Sequence, residues 1–211
     1  TAVVGRFRGG LAYVNVADSM VFGGISGSAV ADVAALGTFL IPQMERKGYD
    51  RDFATALTVA TAVVAPIIPP SIIAVIYAWM SDQSVAAMFA AGVIPGLLVG
   101  LGMAVPVFVI SRKRNYPREE PPTLRQFLRV LWAATPALMI PIIIMGGILF
   151  GIFTPTEAAA VAAVYALVVP PIFYRQPSWR ELPSLFADSA RLSGVIGLII
   201  GFVGAFGWVL T

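Results

Sequence analysis

The residues best suited to chemistry stand at two interruptions of apolar sequence. The first interruption, at 23–28 within the apolar residues 11–44, is rich in glycine and serine. Where one half-helix ends and another begins, free carbonyl and amide groups face each other. The helix that starts near Ser28 presents a positive N-terminus that suits a carboxylate. The preceding carbonyls, with the hydroxyls of Ser26 and Ser28, suit a hard cation such as Na⁺. For this loop taken alone, a simple glycine-rich turn between packed helices is an equal alternative.

The second interruption lies within residues 53–80 and contains Pro69, Pro70 and Ser71. Proline cannot donate its backbone hydrogen bond and clashes with the preceding turn, so a new half-helix is expected to begin here. Thr58 and Thr61 recur at helical spacing on the preceding segment, although each threonine is more often bonded to the carbonyl four residues earlier than to a ligand. Two polar interruptions in one apolar chain predict a shared cavity.

Two carboxylates, Asp18 and Asp32, fall within the apolar segments. A charge at membrane depth costs at least ~2.5–3.5 kcal/mol, which marks such residues as functional candidates. Asp32 follows Ser28 by one helical turn, where it could cap the loop amides, help to hold a cation indirectly or bond to backbone in a purely structural role. Asp18 ranks lower because a position near the membrane interface would explain it.

These considerations give a set of predicted substrate- and ion-binding residues. They are Gly24, Ser26, Gly27, Ser28, Asp32, Thr58, Thr61, Pro69, Pro70 and Ser71.

The sequence gives little support for an enzymatic function. The residues 24–27 match the G-x-S-G pattern of intramembrane serine proteases, but a serine nucleophile needs an adjacent base, and the chain has no histidine. A phosphate-binding loop is equally poorly supported because the Lys-Ser/Thr pair is missing. We therefore predict no enzyme, no catalytic residue and no cofactor other than Na⁺ as coupling ion, with the protease as a minor alternative.

Composition indicates a membrane protein. The chain is 58% hydrophobic and only 12% charged, whereas soluble domains carry about a quarter charged residues. Lipid is therefore the expected solvent. The net charge is +3, and because the basic residues flank apolar segments and form no patch, nucleic acid is not an expected partner. The predicted fold class is an all-α polytopic membrane protein with a re-entrant helical hairpin and a broken transmembrane helix.

A helix needs roughly 20 residues to cross a bilayer, and this length divides the sequence into membrane segments and loops. We predict a cytoplasmic lead-in at 1–10, a re-entrant hairpin at 11–44, a broken helix at 53–80, and transmembrane helices at 85–110, 131–150, 155–174 and 192–211, the last truncated. Cytoplasmic loops at 111–130 and 175–191 each contain an amphipathic stretch, either an interfacial helix or an ordinary loop helix. If the hairpin returns to the side of the membrane on which it begins, all 14 Lys and Arg residues lie on that same side. Basic residues favour cytoplasmic loops, so this side is the cytoplasmic one.

The re-entrant assignment also rests on length. The pieces at 14–22 and 29–42 would be roughly 13 and 21 Å long as helices, so neither spans the bilayer alone. Further along the chain, Thr154, Pro155 and Glu157 have the spacing of an N-cap, a first helical residue and a capping box. That pattern predicts a helix start at Pro155 without invoking a ligand.

At these motifs the sequence resembles the large membrane subunit (DctM-like) of TRAP transporters, the tripartite ATP-independent periplasmic carriers. The matching stretches are FGGISGSAVAD at 22–32 with the preceding NV at 15–16, IP at 41–42, KGYD at 47–50, PIIPPS at 66–71, GIFTPTEAAA at 151–160 and FGWVLT at 206–211. The resemblance implies Na⁺-coupled import of a small organic anion, such as a C4-dicarboxylate or a sialic-acid-like carboxylate. It also implies a small membrane subunit (DctQ-like), a periplasmic solute-binding protein and the inner membrane of a bacterium or archaeon.

The family's transport domain contains two inverted repeats, each with a hairpin and a broken helix, that work by an elevator-like motion. The resemblance makes this chain an internal fragment with the end of the first repeat and the start of the second, and hence half of the binding sites. Asp18 departs from the small apolar residue expected at its position. Alternatives are a divalent-anion/sodium symporter that needs no binding protein and a non-transporting membrane scaffold.

Overall fold

The computed structural model describes residues 8–117, 123–174 and 180–210, without the side chains of residues 124 and 210. Within these residues the chain is helical and contains no strand. The helices are α1 (Gly10–Ser26), α2 (Ala29–Arg46), α3 (Arg51–Ala62), α4 (Ile72–Met80), α5 (Val85–Lys113), α6 (Leu124–Leu149), α7 (Pro155–Tyr174) and α8 (Leu182–Leu210). Four of them, α5 to α8, are long and apolar enough to cross a membrane. The predicted all-α polytopic class is confirmed.

α1 and α2 form an antiparallel pair. The Nδ2 atom of Asn15, near the start of α1, lies 3.7 Å from the Sδ atom of Met44, near the end of α2. The interruption between them is narrower than predicted, because only Gly27 and Ser28 leave the helical conformation. The two helices have 17 and 18 residues, or roughly 25 and 27 Å, which corrects the shorter lengths expected from the sequence. Both remain shorter than the roughly 30 Å hydrocarbon core.

The last turn of α1 packs closely against the segment after α3. A Cβ atom on Gly23 would lie only 2.7 Å from the Cα atom of Ala65, so glycine here serves close approach to the second interruption. The glycines that suggested a break at 23 and 24 therefore act as contact surface within a continuous helix.

The second interruption begins earlier than predicted, at residue 63 instead of 66. The ring of Pro66 would clash with the carbonyl of Ala62 four residues before it, so α3 ends at Ala62. Tight turns follow, with the amide of Val64 bonded to the carbonyl of Thr61 at 3.0 Å. The chain becomes helical again after Ser71.

Neither amphipathic stretch forms a separate helix in the residues that the structure describes. The amphipathic stretch before residue 131 is the first part of α6, and the one before residue 192 is the first part of α8. A capping box between Thr123 and Gln126 starts α6, and no glycine or proline interrupts the helix before Pro136. α5 also extends three residues beyond its predicted end, to Lys113. The predicted loop residues 118–122 and 175–179 and the lead-in residues 1–7 lie outside the described part of the chain.

An aromatic cluster fixes the end of α5 against the α2–α3 connection. The ring of Tyr116 lies 4.4 Å from that of Tyr49 and 5.2 Å from that of Phe53, between centroids. The Tyr116 hydroxyl donates a hydrogen bond of 2.7 Å to Asp50, which also pairs with Arg114. These two contacts, the tyrosine first, lower the pKa of Asp50 below its ordinary value.

The described residues fall into two compact units, which are divided between Val164 and Tyr165. The hairpin, the broken helix, α5, α6 and the first half of α7 belong to the first unit. The second unit consists of the rest of α7 and α8. All the site residues described below lie in the first unit.

Candidate functional site

The hairpin tip touches the interruption between α3 and α4. Gly27 has a left-handed backbone with φ of +60°, a conformation that favours glycine. A Cβ atom at this position would lie 2.9 Å from both the carbonyl oxygen of Pro70 and the amide nitrogen of Ile72. Gly24 faces the same segment, with its Cβ position 3.6 Å from the carbonyl oxygen of Pro69. The two interruptions that the sequence singled out are therefore in direct contact.

Two helices, α2 and α4, begin at this contact. The hydroxyl of Ser28 caps α2 by accepting from the amide of Ala31 at 3.4 Å. The hydroxyl of Ser71 caps α4 by accepting from the amide of Ala74 at 3.2 Å. Because each N-terminus carries partial positive charge, their convergence favours an anion.

Ser71 also connects the two sides of the second interruption. Its hydroxyl donates a short hydrogen bond of 2.6 Å to the carbonyl of Pro66, and its side chain is 1% exposed. The turn between α3 and α4 is thus tied by the same side chain that starts α4.

A cavity of about 400 Å³ adjoins the contact. Most of its wall is apolar, and the hydroxyl-bearing side chains in the wall are Ser26, Ser71 and Thr156. The other lining residues are Ile25, Pro70, Ile72, Val75, Phe89, Ile144, Ile148, Pro155 and Ala159. A small molecule with a polar end directed at the serines and an apolar remainder would fit this distribution.

The Ser26 hydroxyl contacts the backbone of the turn that follows it. Its Oγ atom lies 3.3 Å from the amide nitrogen and 3.4 Å from the carbonyl oxygen of Ser28. The sequence supplies no histidine to activate this hydroxyl. The arrangement suits ligand contact and turn stabilisation.

A second group of polar side chains, here called the inner polar cluster, lies between α1, α2 and α3. Its members are Asn15, Ser19, Asp32, Thr58 and Thr61, each of them 0% exposed. The Nδ2 atom of Asn15 donates to Thr58 Oγ1 at 2.7 Å, and Ser19 Oγ donates to Thr61 Oγ1 at 2.9 Å. Polar side chains from three helices therefore converge inside the apolar core.

The structure divides the predicted site residues between two places. Gly24, Ser26, Gly27, Ser28, Pro69, Pro70 and Ser71 lie at the contact between the interruptions. Asp32, Thr58 and Thr61 belong to the inner polar cluster and do not line the described cavity. The two threonine hydroxyls also donate to the carbonyls of Ala54 and Leu57, both at 2.9 Å, the bonding that is common for threonine within a helix.

Sequence reasoning missed several residues at both places. Asn15 and Ser19 stand four residues apart on one face of an apolar helix, a spacing that signals a polar stripe. Thr156 and Phe89 reach the cavity from α7 and α5, and no local pattern indicates that approach.

The predicted start of α7 is confirmed. The carboxylate of Glu157 accepts from the amide of Thr154 at 2.8 Å, and the amide of Glu157 donates to Thr154 Oγ1 at 3.3 Å. These reciprocal bonds form a capping box, which places Thr156 at the cavity wall.

The family model described as "Tripartite ATP-independent periplasmic transporter, DctM component" matches residues 1–211. Among curated proteins, the C4-dicarboxylate TRAP transporter large permease protein DctM of Pseudomonas aeruginosa is 40% identical over 210 residues. The sialic acid TRAP transporter large permease protein SiaM of Vibrio cholerae is 38% identical over 210 residues. The 2,3-diketo-L-gulonate TRAP transporter large permease protein YiaN of Escherichia coli is 35% identical over 209 residues.

These alignments include 99–100% of this chain and 49% of each relative, so the chain spans about half the length of the curated relatives it matches. The relatives are transporter permeases with different named substrates. With the whole chain matched and four helices suited to a membrane, the chain belongs to the DctM family of tripartite ATP-independent periplasmic transporters.

Proposed function

We propose that this chain forms the first half of the substrate pathway in the large permease subunit of a TRAP system, which imports a small organic anion together with Na⁺. The observation that carries the proposal is the contact between Gly27 and the segment from Pro70 to Ile72. This contact brings the N-termini of α2 and α4 to one place beside a cavity.

Each partner of the contact has a distinct task in the proposed site. The positive N-termini after Ser28 and Ser71 attract the carboxylate of the anion. The hydroxyls of Ser26 and Ser28 and nearby backbone carbonyls bind Na⁺. The apolar wall accommodates the body of the anion and excludes water, which strengthens both charge interactions. Binding of either ion then favours binding of the other, because opposite charges at close range attract.

The named substrates of the relatives support a carboxylate or similar small anion. DctM of P. aeruginosa is named for a C4-dicarboxylate, SiaM for sialic acid and YiaN for 2,3-diketo-L-gulonate, and a related permease of Oleidesulfovibrio alaskensis is named for isethionate. All of these are small organic anions. The proposed system includes a small membrane subunit and a periplasmic solute-binding protein, and its location is the bacterial or archaeal inner membrane.

The test is uptake by the complete permease, reconstituted in liposomes with its small subunit. Radiolabelled succinate and N-acetylneuraminate are offered with and without the cognate binding protein, under an inward Na⁺ gradient or an equal choline gradient. We expect accumulation of one anion only with both the Na⁺ gradient and the binding protein. Equal accumulation without the binding protein would favour a divalent-anion/sodium symporter, and equal accumulation in choline would refute Na⁺ coupling.

Two substitutions test whether the serine hydroxyls at the hairpin tip are needed for uptake. Ser26→Ala and Ser28→Ala are expected to lower uptake, since they remove hydroxyls from the proposed Na⁺ ligands. Gln83→Ala, at an exposed position in the α4–α5 connection, is the control and should leave uptake unchanged. Full uptake by both serine variants would instead indicate a scaffold role for this segment.

A further inference from the structure

α5 carries a continuous apolar face, here called the α5 stripe. Its residues recur every three or four positions and therefore share one side of the helix. They are Ile94, Leu98, Leu101, Val105, Phe108 and Val109, each between 41% and 68% exposed. The buried residues of α5, such as Gly100, Val107 and Ser111, lie on the opposite side. Because α5 is apolar and long enough to cross a membrane, lipid chains suit the stripe.

The length of α5 brings its last turn to the membrane surface. The helix has 29 residues, or roughly 43 Å. This length exceeds the roughly 30 Å hydrocarbon core and equals the ~40–45 Å of a bilayer with its headgroup layers. Arg112 and Lys113, in the last turn of α5, therefore reach the depth of the lipid headgroups, on the side that the basic residues predict to be cytoplasmic.

Arg112 stands at the end of the α5 stripe. It follows Val105 by seven residues and Phe108 by four, so it continues the same helix face. Its guanidinium lies over the Phe108 ring, 4.2 Å from the ring centroid, which holds the charge at the end of the apolar surface. A guanidinium that stacks on a ring in this way keeps its N–H groups for the oxygens of a phosphate.

Arg112 differs in this respect from the other arginine at the end of α5. Arg114 lies on another side of the helix and pairs with Asp50. Within the described part of the chain, the ion pairs involve the carboxylates of Glu45, Asp50 and Asp188, and none of them involves Arg112. Tyr13, on α1, is close enough to Arg112 for the charge to act on its hydroxyl. A cation, an aromatic ring and a phenol thus meet at the end of the stripe.

We propose that this end of the α5 stripe, with Arg112, binds an anionic glycerophospholipid. Arg112 binds the phosphate, and the acyl chains lie along Val105, Phe108 and Val109. An anionic lipid is favoured over a zwitterionic one, because the latter would bring its own cation next to Arg112 and Lys113. This surface lies outside the contact between the two interruptions, and lipid binding can be measured without transport, so the inference stands apart from the proposed function.

The test is quenching of a fluorescent label by brominated lipid. The complete permease with its small subunit, with any other cysteines replaced, carries bimane on Val105→Cys. It is placed in nanodiscs that contain equal amounts of phosphatidylglycerol and phosphatidylcholine, and one of the two lipids is brominated on its acyl chains. A basic residue at a membrane surface strengthens the binding of an anionic lipid about fivefold. We therefore expect brominated phosphatidylglycerol to quench about fivefold more than brominated phosphatidylcholine.

Variants assign the preference to Arg112. Arg112→Gln should bring the quenching ratio close to one. Phe108→Leu keeps the charge and the apolar surface but releases the guanidinium, so it should give an intermediate ratio and guards against misfolding of the first variant. Arg129→Gln, the same change at an exposed position of α6, should keep the fivefold ratio. A label on Ile94→Cys, in the other half of the stripe, should be quenched equally by both lipids.

Three results would overturn the proposal. Equal quenching by the two lipids at Val105→Cys would mean that the stripe contacts only bulk lipid. No quenching by either lipid would mean that protein covers the stripe, either another part of the permease or a second copy. A fivefold preference that persists in Arg112→Gln would show that the anionic lipid is bound by other residues.

Discussion

Replacement of Gly27 by alanine is expected to force the hairpin tip away from the α3–α4 interruption. Two separate costs arise at this position. The left-handed backbone, with φ of +60°, costs an alanine roughly 1–2 kcal/mol. The new Cβ atom would also lie 2.9 Å from the carbonyl oxygen of Pro70 and from the amide nitrogen of Ile72. Both are backbone atoms that cannot rotate away, and such overpacking costs about 1–3 kcal/mol.

Other glycines separate the two costs. Gly48 has φ of +83° and no atom within 4 Å of its Cβ position, so Gly48→Ala should lose only the ~1–2 kcal/mol of backbone strain. Gly23 is helical, and its Cβ position meets Ala65 Cα at 2.7 Å, so Gly23→Ala should lose only the ~1–3 kcal/mol of overpacking. Gly27→Ala should lose the sum, ~2–5 kcal/mol.

The measurement combines Tm of the complete permease in detergent with uptake in liposomes. We expect the largest decrease in Tm for Gly27→Ala, and a loss of uptake for Gly27→Ala and Gly23→Ala but not for Gly48→Ala. Gly102→Ala, with open space at a helical position, should be neutral or slightly stabilising. Equal Tm values for Gly27→Ala and Gly48→Ala, together with full uptake by Gly27→Ala, would refute the close contact between the two interruptions.

Two further predictions concern local hydrogen bonds. Ser28→Ala should lower stability by about 1 kcal/mol through loss of a helix cap, and Ser71→Ala by more, since it also removes the hydrogen bond to the partly buried carbonyl of Pro66. Equal thermal unfolding of these two variants would contradict the second role of Ser71. Because the folded-state pKa of Asp50 is lowered, its contribution to stability is present above the ordinary pKa near 4 and is lost as pH falls through the lowered value. Tyr116→Phe should reduce this acid dependence of Tm, and an unchanged dependence would contradict the role of the Tyr116 hydroxyl.

The interruptions could be predicted because they depend on local chemistry. Proline removes a donor and clashes four residues back, and three prolines fall within five residues at Pro66, Pro69 and Pro70. The more widely spaced or paired prolines of α2, α5, α6 and α7 stand inside continuous helices, so it is the density of prolines that marks the interruption. The capping box at Thr154 and Glu157 likewise depends on residues within a span of four, and the structure contains it as predicted.

Glycine was less informative than proline. The residues Gly23 and Gly24 suggested a wide break, yet both are helical. Glycine permits a turn and also permits close packing, and only the position of Ala65 decides between these uses. The starts of α6 and α8 were missed for a similar reason, since amphipathic residues can continue directly into an apolar helix when no breaker separates them.

The inner polar cluster depends on tertiary structure. Asn15 and Thr58 are 43 positions apart in the chain but share a hydrogen bond of 2.7 Å. Periodicity shows that each lies on a helix but does not show which helix faces belong together. The same limit applies to Thr156, which lines the cavity together with residues of α1, α4, α5 and α6.

The most direct test of a ligand site at the hairpin tip is protection of a cysteine in the wall of the adjoining cavity. The chain has no cysteine, and Ala159 is an exposed residue that lines the cavity and has no proposed ligand role, so Ala159→Cys places a single thiol beside the proposed site and keeps its ligands. With any other cysteines of the complete permease replaced, a small methanethiosulfonate reagent should modify Ala159→Cys about tenfold more slowly when Na⁺ and the transported anion are present at about ten times their Kd. Gln83→Cys should react equally fast in both conditions. Equal rates at Ala159→Cys with and without the two ions would show that they bind elsewhere.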